Sequence, residues 1–441
     1  MTDPGRTVAT GSRRARRATA QPVEITEIGA GGAGVGRLPG GRIVFVAGTA
    51  PGEEVLVEPV DVRKDWARGR LASVVRPSPQ RRVAPCRLAG TCGGCALQHV
   101  SYATQLEAKA GVVARALRRI GHIASEPTAV EPSPLEFGYR NRLSFSLRRL
   151  GSMQVVAGFH GLHDPDRVVE VADECLLPET AVSAAWLALR REWGANAHRL
   201  PAGGRLRLTL RASVRGEVTL LIDGGYGPGR PHELLPRVPG LVSIWHRPRS
   251  GAPVLLAGKP SMVETWNGED TDIGGAAFLQ VNRLAAARLE DWVIERAGRP
   301  AGLRLVDAYC GMGLHARRLA RLGADVTGIE LDADAIAAAR SLAGDSVRFL
   351  QGRVEDLLPG ALPADVVIVN PPRAGLAAVV TRLLSDRPPG RLLYVSCDSA
   401  TLARDLDRMR EALTVTAVRC FDLFPQTAHV ETVAELVCAT S

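Results

Sequence analysis

One cysteine occupies a position at which a reactive side chain could do chemistry. The apolar run at residues 392–395 predicts a buried strand, which ends at Ser396 and Cys397 before Thr401 opens an amphipathic helix. Ligands of open α/β sheets bind at the carboxyl ends of the strands, and a thiol is the most nucleophilic side chain near neutral pH. Cys397 is therefore a candidate nucleophile, and a small buried residue is the alternative interpretation.

A carboxylate near the carboxyl terminus is the second candidate for chemistry. Glu431 stands in a largely apolar run at residues 430–437, which has the pattern of a strand. An ionised carboxylate in such a strand is costly unless it has a partner or a chemical task. Glu431 is therefore a candidate functional residue.

A strand, an acidic residue, a glycine turn and a helix follow one another at residues 302–321. Asp307 ends the strand, and Gly311 and Gly313 form the turn. The next strand ends in Glu330, 19 residues after Gly311, which is the spacing at which a carboxylate meets the ribose of a nucleoside cofactor. The turn contains no basic residue, and an acid precedes it. This pattern favours a cationic sulfonium and its ribose over a pyrophosphate.

Four cysteines form a candidate metal site. Cys86, Cys92 and Cys95 lie within ten residues, and Cys175 is the next cysteine in the chain. In a reducing compartment such a cluster indicates a metal and not a disulfide framework. Four thiolates suit an iron–sulfur cluster or zinc, and spacing alone does not choose between them. The C-x5-C-x2-C spacing differs from that of radical S-adenosylmethionine enzymes, and we interpret the nearby His99 as a packing or RNA-contact residue.

The charge balance points to a polyanionic partner. The 441 residues include 55 Lys and Arg against 46 Asp and Glu, a formal net charge of +9, which suits nucleic acid. Arg142, Arg148 and Arg149 could contact phosphate, or could be charges on a solvated edge strand. No stretch approaches the roughly 20 apolar residues of a membrane span, and no signal-peptide pattern opens the chain. We expect a cytoplasmic, monomeric protein with no membrane partner.

Changes in residue pattern divide the chain into four parts. Residues 1–21 form a basic tail that we expect to be disordered. Residues 22–78 contain five strand-sized pieces separated by glycine, a pattern typical of a small OB-like barrel, and they resemble a TRAM domain, which binds RNA. Residues 79–272 form a β-rich central domain, with a helix at about 100–121 that could pack against the catalytic domain. Residues 273–441 form an α/β domain.

Together these motifs resemble the RNA uracil-C5 methyltransferases, which form 5-methyluridine, over nearly all of residues 22–440. The resemblance implies a Rossmann-like S-adenosylmethionine-dependent domain, an N-terminal TRAM barrel and a β-rich central iron–sulfur domain. It implies Cys397 as the nucleophile and Glu431 as the base, with 23S ribosomal RNA as the favoured substrate and transfer RNA as the alternative. The residues that it implies for S-adenosylmethionine are Gln280, Asp307, Tyr309, Gly311, Gly313, Glu330 and Asn370, and those for a [4Fe-4S] cluster are Cys86, Cys92, Cys95 and Cys175.

Two positions depart from the family's usual pattern. Asn370 stands where the family has Asp before Pro-Pro-Arg, and Asp398-Ser399 stands where it has Asn-Pro after the nucleophile. An amide can accept and donate hydrogen bonds at the cofactor, but it carries no charge. Two alternatives stay open. The Asn-Pro-Pro-Arg sequence is also typical of amino-methyltransferases that modify adenine or cytosine, and both changes would also fit a non-catalytic, RNA-binding iron–sulfur protein.

Overall fold

The computed structural model describes residues 19–124, 127, 129–151, 153–266, 269–274 and 279–439. Most of the predicted basic tail lies outside these residues. The chain divides into two compact units, Met1–Arg81 and Arg82–Ser441. No helix in the described part of the chain is both long and apolar enough to cross a bilayer.

The first unit is a closed barrel of five strands: β1 (Gln21–Ile28), β2 (Gly34–Arg37), β3 (Ile43–Val46), β4 (Glu54–Val62) and β5 (Trp66–Arg76). The strand order around the barrel is β1-β2-β3-β5-β4. Alternate residues point inward, so that Val23, Ile25 and Val57 fill the interior. Gly36 permits close strand contact, because a Cβ there would lie 2.4 Å from the Glu24 carbonyl oxygen. The barrel confirms the architecture predicted for residues 22–78.

The second unit contains a β-rich part, which is preceded by one long helix and includes a second one. Its elements are β6 (Arg142–Leu150), β7 (Gln154–His160), β8 (Val168–Glu170), α2 (Thr180–Glu192), β9 (Arg205–Ala212), β10 (Val218–Asp223), β11 (Leu241–Arg247) and β12 (Val254–Gly258), preceded by α1 (Tyr102–Arg119). Short 3-10 turns occur at Ala195–Ala197 and Pro231–Glu233. The strands form one sheet in the order β12-β11-β10-β9-β6-β7-β8. Its apolar face packs on α2, where the rings of Phe145 and Trp186 stack with centroids 3.7 Å apart.

The rest of the second unit begins with a hairpin and continues as an α/β domain. The hairpin is β13 (Ser261–Trp266) with β14 (Glu269–Gly274). The α/β domain consists of α3 (Arg283–Arg296), β15 (Arg304–Ala308), α4 (Leu314–Arg321), β16 (Asp325–Glu330), α5 (Ala333–Ala343), a 3-10 turn (Gly344–Ser346), β17 (Arg348–Gln351), α6 (Val354–Ala361), β18 (Val366–Val369), α7 (Ala378–Asp386), β19 (Arg391–Ser396), α8 (Ser399–Met409), β20 (Leu413–Phe421) and β21 (Glu431–Cys438).

The sheet of the α/β domain places all the carboxyl ends of its parallel strands at one edge. The strand order is β17-β16-β15-β18-β19-β21-β20; β21 runs antiparallel to both of its neighbours, and the other six strands of this sheet run in one direction. Helices α3, α4 and α5 cover one face, and α1, α6, α7 and α8 cover the other. The strand order reverses between β15 and β18, which creates a ligand crevice at their carboxyl ends. The fold confirms the predicted Rossmann-like domain.

Candidate active site

Two neighbouring strands carry the predicted nucleophile and the predicted base. β19 ends at Ser396, with Cys397 directly after it, and β21 begins at Glu431. The strands pair antiparallel with Ser396 opposite Thr432, so the next position in this register sets Cys397 beside Glu431. Cross-strand neighbours have Cβ atoms about 5 Å apart. The sheet therefore brings the two residues together at the carboxyl end of β19.

Burial and one nearby cation set the charge states of this pair. Glu431 is 5% exposed, and burial raises the pKa of its carboxyl to about 7, while Arg373 acts in the opposite direction. Burial also raises the pKa of the Cys397 thiol; the charge of Glu431 adds to this effect, and Arg373 opposes it. Glu431 can therefore exchange a proton near neutral pH, and Arg373 favours the charged forms of both groups.

The loop that carries Arg373 is held against the strand of the nucleophile. The fully buried Asp405 of α8 accepts hydrogen bonds from the Tyr394 hydroxyl of β19 at 2.8 Å and from the Leu376 N–H at 2.7 Å. Thr401 Oγ1 donates to the Arg373 carbonyl at 3.3 Å. Asp405 and Thr401 thus connect the loop after β18 to the strand and helix on either side of Cys397.

Asp398, one of the two departures from the family pattern, caps α8. Its carboxylate accepts hydrogen bonds from the Ala400 N–H at 3.0 Å and the Thr401 N–H at 2.9 Å. Asn and Asp are about equally effective at this position of a helix. The change from Asn to Asp after the nucleophile therefore preserves the local structure.

The turn after β15 has a backbone that few residues with a side chain adopt. Tyr309, Gly311 and Gly313 have positive φ angles of 62°, 54° and 71°. Such a conformation is uncommon for a tyrosine, and strained residues of this kind cluster at functional sites. A Cβ on Gly313 would also lie 2.6 Å from Cζ of Phe349. The turn therefore requires glycine at residue 313, where α4 begins.

Two carboxylates flank this turn. Glu330 ends β16, and it accepts hydrogen bonds from the Gly311 N–H at 2.9 Å and from the two N–H groups that follow it in the chain. Asp307 is 1% exposed; its Oδ2 accepts from the Ala316 N–H at 3.1 Å, whereas its Oδ1 has no partner among the described residues. Burial raises the pKa of Asp307 to about 6. A buried carboxylate oxygen without a partner indicates a place for a donor or a cation.

Asn370 and Gln280 complete the predicted cofactor residues. Asn370 follows β18, and its N–H donates to the Ala308 carbonyl of the neighbouring β15 at 3.2 Å. Gln280 precedes α3, and its carbonyl accepts a hydrogen bond from the Asn141 side chain at 3.0 Å. Asn370 thus lies at the same sheet edge as the glycine turn. The Asn141 side chain, directly before β6 of the central sheet, holds the backbone of Gln280 in place.

Three stretches of the chain match known families. Residues 342–437 match the tRNA (uracil-5-)-methyltransferase family, residues 14–72 match the TRAM domain, and residues 306–370 match a methyltransferase domain. An uncharacterized RNA methyltransferase of Gloeobacter violaceus is 36% identical over 94% of this chain and 95% of its own, and one of Listeria monocytogenes is 32% identical over 94% and 96%. The chain belongs to the RNA uracil-C5 methyltransferase family.

A solved structure matches this methyltransferase over almost its whole length. The Pyrococcus abyssi tRNA (uracil-54, C5)-methyltransferase in complex with S-adenosyl-L-homocysteine is 28% identical, with a TM-score of 0.73 over 97% of this chain and 100% of that chain. These comparisons confirm the predicted enzyme class, an S-adenosylmethionine-dependent RNA methyltransferase, and the predicted TRAM domain. They favour uracil C5 over the amino groups of adenine and cytosine as the target.

Sequence reasoning missed the residues that fix the loop before Glu431 in this methyltransferase. Lys109 of α1 is 1% exposed, and its Nζ lies 2.6 Å from Asp422 Oδ1 and 3.1 Å from the Phe424 carbonyl. Gln105 and Gln426 exchange two hydrogen bonds, at 2.9 and 3.0 Å. One signal was present in the sequence, because residues 105 and 109 continue the buried stripe of α1 that includes residues 113 and 117.

The four predicted metal ligands of the methyltransferase are cysteines that form no disulfide bond. Burial raises the pKa of Cys175 to about 12, and the charges of Cys95, Cys86 and Cys92 add to this effect. Burial likewise raises the pKa of Cys95 to about 11. Within the described ranges, no group of three or more His, Cys, Asp or Glu side chains is arranged to hold a metal ion. The iron–sulfur cluster therefore stays a prediction.

Proposed function

We propose that this enzyme forms 5-methyluridine in RNA, with Cys397 as the covalent nucleophile and Glu431 as the base. The observation that supports this assignment is the pairing of β19 with β21, whose register sets the two residues side by side. Both groups adjoin the crevice at the carboxyl ends of the parallel strands, where a ligand of an α/β sheet binds. A structural cysteine would not need a buried carboxylate of raised pKa next to it.

The proposed chemistry overcomes the low reactivity of uracil C5. Cys397 Sγ forms a bond to C6, and the electron pair of the C5–C6 double bond is released toward C5 and the C4 carbonyl as an enolate, so that C5 becomes a carbon nucleophile. S-adenosylmethionine supplies an electrophilic methyl group. Glu431 then removes the proton from C5, and elimination of the Cys397 thiolate restores the double bond. The uridine must leave its helical stack or lie in a loop to reach both residues.

The cofactor residues fit a nucleoside with a cationic group. We propose that Asp307, whose Oδ1 has no partner in the described part of the chain, accepts a donor of S-adenosylmethionine. We assign the ribose to Glu330, because backbone N–H groups fix its carboxylate at the end of β16. The other residues that we assign to this site are Gln280, Tyr309, Gly311, Gly313 and Asn370.

Two active-site variants test the covalent route. Cys397→Ala is expected to abolish methyl transfer, whereas Glu431→Gln is expected to accumulate a covalent enzyme–RNA adduct that survives a denaturing gel. Cys438→Ala is the matched control, because Cys438 is an exposed thiol at the far end of β21. Methyl transfer by Cys397→Ala, or production of 6-methyladenine, would overturn the proposal. Absence of cofactor binding in calorimetry would instead support a non-catalytic RNA-binding protein.

We propose 23S ribosomal RNA as the first candidate substrate, supported by the TRAM match and the four cysteines. Transfer RNA is the second candidate, supported by the similarity to the Pyrococcus abyssi enzyme, which acts on tRNA uracil-54. Mapping of 5-methyluridine in both RNA classes, from cells with and without this protein, decides between them. The class that loses 5-methyluridine in the absence of the protein is the substrate.

We also propose that Cys86, Cys92, Cys95 and Cys175 hold a [4Fe-4S] cluster. Tetrahedral zinc would require all four sulfurs at about 2.3 Å from one ion. A cluster distributes its thiolate ligands over several irons, so it does not require convergence on a single point. When bound, the cluster would join the segment at residues 86–95 to Cys175, which follows β8. Iron and sulfide analysis of protein purified without oxygen tests this assignment against zinc.

A further inference from the structure

One face of the central sheet carries an excess of unpaired arginine. Residues 143, 145 and 147 of β6 and their neighbours on β9 and β10 point into the apolar core. The alternate residues therefore point to the opposite face, because side chains alternate along a strand. On β6, β9, β10 and β11 the charged residues of that face are Arg142, Arg148, Arg205, Arg207, Arg211 and Arg247, with Asp223 as the one carboxylate. We call these six arginines the arginine face.

The strand register places these arginines in rows. Arg142 lies opposite Arg211, and Arg148 lies opposite Arg205. Arg207 lies opposite Asp223, which in turn pairs with Arg247 at 3.4 Å. Residues with hydroxyl groups lie between the rows of arginines. The face therefore carries both cations and hydrogen-bond donors. The Ser144 and Thr209 hydroxyls lie 2.8 Å apart in the row between Arg142 and Arg207.

Most of these guanidinium groups have no counter-ion. Within the described residues, only Arg247 of the arginine face forms an ion pair. Arg211 is 4% exposed, and its Nη1 is a buried donor without a hydrogen-bond partner in the described part of the chain. Burial and the charge of Arg142 lower the pKa of Arg211 to about 9, whereas the charge of the buried Glu264 acts in the opposite direction. Arg211 thus lies beneath the surface, and the exposed Arg205 and Arg207 are cations of the face that an anion in solution can reach.

Arg149 of the same strand differs from the arginine face, because its guanidinium has hydrogen-bond partners within the protein. It lies on the other side of β6, and its guanidinium donates to the carbonyls of Asn196, Gly203, Ala197 and Pro201. The sequence-based suggestion that Arg149 contacts phosphate is therefore not supported, and β6 is an inner strand, not an edge strand. The arginines of the opposite face lack such partners.

The arginine face begins next to the cofactor residues. Asn141 directly precedes Arg142, and it donates to the carbonyls of Gln280 and Val281 at 3.0 and 2.9 Å. From Arg142 the face continues along β6 to Arg148, about 20 Å away at roughly 3.4 Å per residue. It therefore leads from the S-adenosylmethionine end of the active site across the central sheet.

We propose that the arginine face binds the sugar-phosphate backbone of the substrate RNA and guides the strand that carries the target uridine toward Cys397. The inference rests on the proposed function, in that the ligand is the RNA to be methylated. Guanidinium groups bind phosphate with paired donors, and a series of them along one path matches a chain of phosphates. Serine and threonine hydroxyls supply the further donors that phosphate and ribose contacts use.

Three variants test the arginine face with RNA extracted from cells that lack this protein. Arg205→Gln with Arg207→Gln changes two exposed side chains without ion-pair partners among the residues described. Arg230→Gln with Arg237→Gln removes the same charge from the segment whose Leu234 and Val238 pack on the apolar face. Filter binding between about 50 and 200 mM salt gives the dissociation constant and its salt dependence.

We expect the dissociation constant of Arg205→Gln/Arg207→Gln to rise about 10-fold for each arginine removed. The slope of log affinity against log salt should fall by about 1.4, since each contact to single-stranded RNA contributes about 0.7. Arg230→Gln/Arg237→Gln should bind this RNA as the wild type does. Equal effects of both double variants, or no effect of the first, would overturn the proposal.

Arg148→Gln extends the test to the far end of β6. Arg148 is partly exposed and has no ion-pair partner among the residues described, so RNA affinity is expected to fall about 10-fold while the melting temperature stays unchanged. Wild-type RNA affinity in this variant would contradict the proposal. If the wild type binds this RNA but does not methylate it, the proposed function fails, yet the binding series still decides the role of the arginine face.

Discussion

At the scale of single residues, the proposed reaction depends on Cys397 and Glu431, two neighbouring groups whose negative charges repel each other. The charge of Glu431 raises the pKa of the Cys397 thiol, and burial raises the pKa of both. In its proposed role as base, Glu431 acts only when it is ionised, so activity should rise with pH through its pKa of about 7. Cys397, the proposed nucleophile, also needs its ionised form, which strengthens the same trend. Arg373 is the cation that lowers both pKa values.

Arg373→Gln is expected to shift the rise of kcat to higher pH by roughly one unit, because both groups lose the cation that favours ionisation. At pH values below both pKa values, activity should fall about 10-fold for each of the two groups whose pKa rises by one unit, and it should change little well above both. Arg373→Lys should restore most of the shift. The measurement is the pH dependence of single-turnover methyl transfer, with Arg382→Gln, an exposed arginine of α7, as the control. A uniform loss at all pH values would contradict this role.

At the scale of secondary structure elements, α1 holds the loop that precedes Glu431, the proposed base. The loop between β20 and β21 contains Gln426, which has a φ of 70° and is fully buried. Its carbonyl accepts a hydrogen bond from the Leu97 N–H at 3.0 Å. Lys109 completes the attachment through its buried ion pair with Asp422. A helix from the amino-terminal half of the second unit thus supports the loop from which Glu431 emerges.

Lys109→Met tests this attachment. The substitution leaves the buried Asp422 without its counter-ion, and loss of one partner of a buried ion pair costs about 3–5 kcal/mol. The urea midpoint should fall accordingly, and kcat should fall more than the affinity for S-adenosylmethionine, since Glu431 and not the cofactor site lies after the loop. Lys109→Met with Asp422→Asn should recover part of the stability. If the single and double variants are equally unstable, the ion pair is not the source of the effect.

At the scale of the whole second unit, Tyr139 and Arg140 connect the surroundings of Cys95 to the loop before Glu431, the proposed base. The Tyr139 hydroxyl donates to the Pro425 carbonyl at 2.9 Å, and the Arg140 guanidinium lies 5.7 Å from the centre of the Phe424 ring. Arg140 also lies close enough to lower the pKa of Cys95. The proposed cluster would therefore stabilise the surroundings of the base without taking part in methyl transfer.

Cys95→Ala is expected to lose iron and to lower the melting temperature, because the segment at residues 86–95 loses its anchor. Methyl transfer should slow, whereas binding of S-adenosylmethionine in calorimetry should remain near the wild-type affinity. The variant and the wild type are compared by iron content, melting temperature and calorimetric affinity for S-adenosylmethionine, all measured on the same preparations. Cys438→Ala is the thiol control. An iron-free variant with the wild-type kcat would show that the base loop does not depend on the cluster.

The sequence by itself determined the local elements and the types of reactive residue. Periodicity and turn residues predicted the strand, glycine turn and helix within residues 302–321, which the structure has as β15 and α4. They also predicted the barrel and the acid at the end of β16. These features depend on neighbours in the chain, and a cysteine or carboxylate in an apolar strand is visible without any structure.

Only the tertiary structure decided which distant residues meet. The antiparallel register that sets Cys397 beside Glu431, the ion pair of Lys109 with Asp422 and the rows of the arginine face all join segments far apart in the chain. A sequence pattern shows that a residue lies on a buried face, but not which partner it faces. Strand register arises from side-chain packing between separate segments, and that packing exists only in the folded molecule.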